Sequence, residues 1–473
     1  MILGTVITLH VLLSAAAITN ILLGEADGGW KAAWIALFLL APVASIIGYV
    51  LVGLRYRTPA AFYRIHSKTL DKFRNSALDP AVFADDISSV EEPYRPLARL
   101  IKGCNEGNIV SGGNNMEVIT SGARKLELLL ADLESARNFI HLEYFRFSGD
   151  KSGHIIREIL ERKAREGVEV RVIYPNLTNG YNKFLTAMRA AGVDVVKYTH
   201  RKLHWRLLLM RINFQDHRKI AVIDGRVAYT GGMNLNDNYF YRWRDTHLRI
   251  QGPAVAALQA AFIDVFLSSG GRLSRPLESY FPSFCPQPAP LSDKTLQIVT
   301  DAAEYPFTCS QLAYEWILNN ARDYVYIQTP YFLPPPPVLD AIKSAALRGV
   351  DVRIMLPLKV DTPLFNFANQ AYYDECLEAG VKILIHDGQF IHSKTLVTDD
   401  GLSIIGAINM DSRSFQINNE VNTFIYDHET ALLNKHIFES DTAAPLSLDL
   451  WRSSRTVYGR ILSSVMRTIS FTL

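Results

Sequence analysis

One polar constellation occurs twice in this chain, in the same order and at the same spacing. The stretch DHRKIAVIDGRVAYTGGMNLND (216–237) carries His217, Lys219, Asp224, Gly231 and Asn234; IHSKTLVTDDGLSIIGAINMDSRSF (391–415) carries His392, Lys394, Asp399, Gly406 and Asn409 at a constant offset of 175 residues. A chain that repeats its polar residues in register repeats the supersecondary unit that holds them. The flanks repeat too. Ala136-Arg137 followed by Tyr144-Phe145 recurs as Ala321-Arg322 followed by Tyr331-Phe332, KAREGVEVRVIYP (163–175) as AALRGVDVRIMLP (345–357), and Ala191-Gly192-Val193 as Ala379-Gly380-Val381. Each set reads as a buried strand, an amphipathic helix, a second apolar strand and a helix closed by glycine, which is βαβ logic. The expected fold is α/β: two similar lobes, 111–280 and 291–445, with mixed, largely parallel sheets flanked by helices. The proline-rich run PSFCPQPAP (282–290) interrupts both periodicities and marks the seam.

The remainder of the 473 residues suggests further units. Residues 1–24 and 32–54 contain no Asp, Glu, Lys or Arg, and each is long enough as a helix to cross roughly 30 Å of hydrocarbon. Residues 1–57 are therefore expected to form a two-helix transmembrane hairpin. A cleaved signal peptide is the competing reading for the first segment, but it lacks a positive n-region and a second apolar segment follows. Arg55, Arg57, Arg64, Lys68, Lys72 and Arg74 follow the second segment, which favours that flank, and so the lobes, on the cytoplasmic side. Residues 58–110 read as a polar juxtamembrane connector. Residues 446–473 read as an amphipathic segment, with Val457, Ile461, Val465 and Ile469 four apart, suited equally to a lipid interface and to docking on the protein. Cys104, Cys285, Cys309 and Cys376 are scattered, without metal-ligand spacing or a disulfide framework. No metal or cofactor is implied. A net charge of +2 gives no reason to expect a nucleic-acid partner.

The spacing of the duplicated residues explains their chemistry. Histidine and lysine two apart on a strand project from one face, so imidazole and ammonium converge on one ligand. A phosphodiester anion resists nucleophiles, and its reaction requires cations and amide donors around the non-bridging oxygens. Lys219, Lys394, Asn234 and Asn409 are the candidates for binding phosphate. One histidine can attack phosphorus while the other protonates the leaving alkoxide, so two motifs make one site. Asp245 and Glu420 each follow their motif asparagine by eleven residues, and are candidates for fixing the tautomer of an imidazole. Arginine-paired surface carboxylates are the alternative for these two. The aromatic run Tyr239, Phe240, Tyr241 and Trp243 suits either core filling or lipid contact.

Both His-x-Lys-x4-Asp motifs and the lobe repeat resemble the phospholipase D superfamily. Within it, the apolar N-terminal segments with NFQDHRKIAVIDG, WRDTHLRIQGPAV, IQTPYFLPP, AALRGVDVRIMLP and GAINMDSRSFQINNE resemble the bacterial cardiolipin synthases over nearly the whole chain. The resemblance implies two phospholipase D-like lobes and a catalytic set of His217, Lys219, Asp224, His392, Lys394 and Asp399, with the two aspartates mainly structural. It implies His217 as nucleophile carrying a phosphatidyl group and His392 as general acid and then base. It implies pairing across lobes, His217 with Glu420 and His392 with Asp245. It also implies phospholipid substrates, phosphatidylglycerol with either a second copy or phosphatidylethanolamine, no metal, and a place in the bacterial inner membrane. A homo-oligomer is left open. The alternatives are a hydrolytic phospholipase D, a phosphatidylserine synthase and, from another class, a catalytically silent membrane scaffold. Pro175-Asn176-Leu177 and Phe266 depart from the pattern of many relatives, which bears on the acceptor rather than on the core motif.

Overall fold

The structure, a computed structural model, describes residues 2–23, 28–49, 85–175, 182–198, 215–282, 293–303, 305–441 and 443–469. Most of the 58–110 connector and the basic run after the second apolar segment lie outside these residues.

Seven strands build the first lobe: β1 Val110–Ile119, β2 Phe139–Tyr144, β3 Glu169–Tyr174, β4 Asp194–Lys197, β5 Lys219–Ile223, β6 Val227–Gly231 and β7 His247–Gln251. The second lobe contributes β8 Lys294–Asp301, β9 Tyr324–Gln328, β10 Phe332–Leu333, β11 Asp351–Pro357, β12 Lys382–His386, β13 Thr395–Thr398, β14 Leu402–Gly406, β15 Met410–Asp411, β16 Glu420–Tyr426 and β17 Ala444–Pro445. The first half runs β4-β3-β2-β5-β6-β7-β1 and the second runs β12-β11-β9-β13-β14-β16-β8, the same order. Antiparallel pairing of β1 with β8 joins the halves into one sheet.

The sheet is mixed, but it is not largely parallel. Helical crossovers make β2, β3 and β4 parallel, and β9, β11 and β12 likewise; most of the other pairings are antiparallel. The cause lies in the motif itself. Asp224 and Gly225, with φ of 52° and 64°, turn β5 straight back into β6, and Asp399 and Asp400, with φ of 46° and 51°, turn β13 into β14. Such left-handed turn residues close hairpins, and a hairpin is antiparallel. One repeat landmark also shifts. Tyr144 faces Lys219 across the β2–β5 ladder, whereas β9 ends with Gln328 facing Thr395, so Tyr331-Phe332 lies about two residues beyond the true counterpart of Tyr144-Phe145.

Helices Gly122–Ser135 and Lys151–Arg165 bury Leu126, Leu129, Leu133, Ile156 and Leu160 against Ile140, Leu142, Val170 and Val172. Helix Ala254–Ser268 lies between the lobes: its Leu258, Phe262 and Phe266 pack with Val222 and Ile250 of one and with Ile298, Ile405 and Val421 of the other. The halves therefore share a core that fixes their sites relative to one another. Phe266 sits fully buried beneath the Arg171 guanidinium, 4.9 Å from ring to charge.

The expected transmembrane hairpin is not found: the apolar N-terminal segments form packed helices, but among the described residues no helix is long and apolar enough to cross a membrane. The second segment is divided. Helix Gly28–Leu40 stops because Pro42 lacks an amide hydrogen and drives Ala41 out of the helical region, to φ −138° and ψ 65°; helix Pro42–Gly48 then restarts. Ser45 Oγ donates to the carbonyls of Leu37 and Ala41 at the break. Helix Ile2–Leu23 packs on this pair through Ile21, Trp34, Phe38 and Tyr49, with Asn20 Nδ2 donating to Tyr49 OH at 2.9 Å.

Candidate active site

Each motif histidine lies just ahead of a strand, with Lys219 opening β5 and Lys394 immediately preceding β13, and each is tied by its backbone to the opposite lobe. The His217 amide donates to Asn419 O (2.9 Å), and the Asn419 amide donates to Gln215 O (2.9 Å). In the mirror arrangement His392 N–H donates to Arg244 O (2.7 Å) and Arg244 N–H to Phe390 O (3.0 Å). Asn419 and Arg244 immediately precede Glu420 and Asp245, so these ladders deliver each carboxylate to the imidazole of the other lobe. His217 Nδ1 is 2.9 and 3.0 Å from the two Glu420 carboxylate oxygens, and His392 Nδ1 is 2.7 Å from Asp245 Oδ2. All four groups are buried.

The two carboxylates differ by one methylene, and their surroundings compensate. A Cβ on Gly232 would fall 2.1 Å from Asp245 Oδ1, so only glycine lets the shorter aspartate occupy its place. At the matching position stands Ala407, whose amide donates to Val421 O as that of Gly232 does to Thr246 O.

Lys219 and Lys394 are buried on the same side as their histidines; their Nζ atoms donate to His217 O (2.5 Å) and to His392 O. Lys394 Nζ also lies 2.7 Å from His392 Nδ1, the atom that faces Asp245, so the tautomer decides which of the two bonds forms. Burial brings Lys219 down to about 7 and Lys394 to about 8, because no surrounding water supports the ammonium charge. Burial raises Asp245 to about 6 and Glu420 to about 8, partly offset by the lysines, and it drives both histidines well below their ordinary value. The neighbouring lysines add to the histidine shift, each imidazole responding to both Lys219 and Lys394. The two motifs thus share one electrostatic site, with neutral imidazoles available near pH 7.

Asn234 Oδ1 accepts the Arg146 amide at 3.0 Å, while its Nδ2 is buried without a hydrogen-bond partner; at Asn409 the buried atom without a partner is instead the acceptor Oδ1. A buried free amide is a donor that a phosphoryl oxygen would satisfy. Aromatic rings wall the site unequally. Tyr239, Trp243 and Phe390 surround His392, with centroids 5.1, 5.4 and 5.8 Å away, whereas Phe145 meets His217 edge-on at 5.0 Å. Tyr239 and Trp243 therefore line the site.

The motif aspartates are placed elsewhere. Asp224 accepts the amides of Arg137, Asn138 and Phe139 at 2.8, 2.7 and 2.8 Å, and Asp399 those of Arg322, Asp323 and Tyr324 at 2.9, 3.0 and 3.0 Å. Their oxygens are committed to holding the hairpin turn against the start of β2 or β9, so they cannot be grouped with the reacting residues. Phe145, Arg146 and Lys125 were not legible as site residues. Lys125 is fully buried, donates to Met233 O at 2.8 Å and lies over the Tyr144 ring at 4.9 Å; its spacing of four and eight from Leu129 and Leu133 was the available signal. Among the described residues no group of three or more His, Cys, Asp or Glu is placed to hold a metal ion.

Comparison with known proteins gives consistent matches. The family described as "Cardiolipin synthase, PLD-like domain" matches residues 129–266 and 315–442, one stretch in each lobe. The major cardiolipin synthase ClsA of Bacillus subtilis (strain 168) is 34% identical over 486 aligned residues, covering 96% of this chain and 99% of the relative. A cardiolipin synthase of Listeria monocytogenes serotype 4a is 34% identical, covering 95% and 96%. Among solved structures, a phosphatidylserine synthase from Haemophilus influenzae Rd KW20 shares the fold with a TM-score of 0.57 at 15% identity, over 76% of this chain and 95% of that one.

Proposed function

The chain belongs to the cardiolipin synthase family with phospholipase D-like domains, and from that premise we propose that it transfers a phosphatidyl group from one phospholipid to phosphatidylglycerol, through a phosphatidyl-histidine, with release of glycerol or another small alcohol. The observation that carries this reading is the cross-lobe anchoring of both imidazoles, His217 to Glu420 and His392 to Asp245.

Glu420 holds Nδ1 of His217, which leaves Nε2 as the nucleophile. It attacks the phosphorus of the donor; His392, protonated once the phosphodiester anion is bound and held by Asp245, delivers that proton to the departing glycerol oxygen as the P–O bond breaks. Lys219, Lys394 and the asparagine amides hold the non-bridging oxygens as charge develops. The acceptor's glycerol hydroxyl then gives its proton to His392 and attacks phosphorus, the P–N bond breaks, and His217 is restored. His217 is assigned the nucleophilic role because both oxygens of one carboxylate flank its Nδ1 and a single ring meets it, whereas three rings crowd His392.

The chain works, on this reading, at the bacterial inner membrane with its lobes on the cytoplasmic side. Exposed Leu12, Leu22, Leu39 and Leu40 on the N-terminal helices and the basic run from Arg55 to Arg74 support that placement. Purified protein supplied with labelled phosphatidylglycerol, with and without phosphatidylethanolamine, should form cardiolipin and release glycerol. Production of phosphatidic acid alone would place the chain with the hydrolases, and no lipid product would leave the scaffold reading.

A further inference from the structure

The last described helix, Val457–Ile469, carries two apolar stripes, and the protein covers only one. Leu462 and Met466 face inward against the second lobe, and the helix runs along helix Pro363–Gln370. Arg467 fastens that face: it donates to Ala371 O, pairs with Glu375 at 2.7 Å and lies over the Tyr372 ring. The second stripe points away. Val457, Ile461 and Val465, one helical turn apart, are 73, 60 and 51% exposed, and Tyr458 beside them is 72% exposed. Met466 on the docked face is 4% exposed, so the orientation of the helix is settled.

Charge and position say what belongs on the outer stripe. From residue 450 onward the chain has four arginines and no acidic residue. Three of them are tied to Asp374, Glu375 and Glu378 of the lobe, while Arg460, exposed one residue before Ile461, has no ion-pair partner among the described residues. The helix that Val457–Ile469 packs along leads to the active site, because Asp361 at its start acts electrostatically on Lys394. Helix Pro363–Gln370 starts at the loop holding Asp361, whose carboxylate accepts from Tyr331 OH at 2.5 Å; the Tyr331 ring meets Phe365 of the same helix at a tilt, centroids 4.8 Å apart. The same loop and helix expose Leu358 and Leu364.

We infer that Val457, Tyr458, Ile461 and Val465, with Arg460, form an interfacial face that seats the second lobe on an anionic phospholipid surface and brings the active-site rim at Asp361 and Tyr331 to the headgroups. The face enters lipid by its apolar residues while Arg460 meets phosphate, as an interfacial helix does. This rests on the proposed lipid substrate, but insertion and turnover can be measured separately.

The test uses the full chain reconstituted in vesicles. With Cys285→Ser, and the three described cysteines buried, Ile461→Cys becomes the labelling site for bimane. Bimane at 461 should be quenched by lipid-borne nitroxide in phosphatidylglycerol vesicles several-fold more than the same label at Ser135→Cys, exposed on the first lobe away from this face. In the unlabelled chain, Ile461→Asp/Val465→Asp should raise the KM for phosphatidylglycerol surface concentration at least tenfold, leave kcat within about twofold, and keep the melting temperature; Ile461→Leu should behave as wild type. Equal quenching at 461 and 135, or an unchanged KM in the double variant, would overturn the inference while leaving the transferase reading intact. So would a second copy as occupant, seen as a dimer in detergent that the double variant dissociates. Insertion without any lipid product would instead sink the transferase reading.

Discussion

Replacing Glu420 by glutamine keeps the shape but removes the capacity to ionise as the ring of His217 takes on charge, so it isolates what the carboxylate does for His217 in the transition state. The side chain is buried, and its oxygens stand 2.9 and 3.0 Å from Nδ1. As Nε2 attacks phosphorus the ring becomes cationic, with its charge about 4 Å from that of the carboxylate; at an effective dielectric of about 20 the attraction is worth about 4 kcal/mol. A glutamine oxygen can still accept from Nδ1–H, but it cannot balance that charge. Losing about 4 kcal/mol of transition-state stabilisation slows the chemical step about a thousandfold. Stability should move the other way or not at all, because burial already raises Glu420 to about 8 and a neutral amide is easier to bury. The assay is single-turnover transfer from labelled phosphatidylglycerol, beside a thermal melt of the same preparation. A loss of less than tenfold in a well-folded Glu420→Gln protein would refute the argument.

Three other outcomes follow from the same geometry. Asp399→Ala strands three amides and replaces a residue type that tolerates φ 46° with one that tolerates it less, a cost of about 4 kcal/mol, so chemical denaturation should show a large loss of stability while the folded fraction keeps near-normal specific activity. Gly232→Ala should cut kcat at least a hundredfold because its Cβ displaces the Asp245 carboxylate, whereas Ala407→Gly should be tolerated; equal effects would contradict the asymmetry. Lys219 and Lys394 bind phosphate only while charged, and with values of about 7 and 8 they lose that charge as pH rises. The profile of kcat/KM for phosphatidylglycerol should therefore fall on its alkaline side between about pH 7 and 8, and a flat profile to pH 10 would contradict the lysine role.

The duplicated residues made the two-lobe plan legible, because His, Lys and Asn at fixed spacing on a strand specify both a face and a ligand. The sheet directions were less legible. The apolar runs at 168–175 and 350–357 do belong to parallel ladders, yet the turns at Asp224-Gly225 and Asp399-Asp400 decide the middle of the sheet. Asp224 and Asp399 share a motif with the histidines but not a location, since a turn separates them from the face that His and Lys occupy. Phe145 and Lys125 were hidden for a simpler reason: apolar runs and helix faces of core type bury most such residues without giving them a function. At the N-terminus, hydropathy alone could not weigh Pro42, which divides the second apolar segment.

The central claim is a covalent phosphatidyl group on His217. Turnover of phosphatidylglycerol labelled in its phosphate, quenched in alkali where phosphohistidine survives and followed by peptide mapping, tests it directly. The label should appear on the peptide containing His217 and be absent from the His217→Ala protein. Label on His392 instead, or cardiolipin formed at full rate with no label on either histidine, would contradict it.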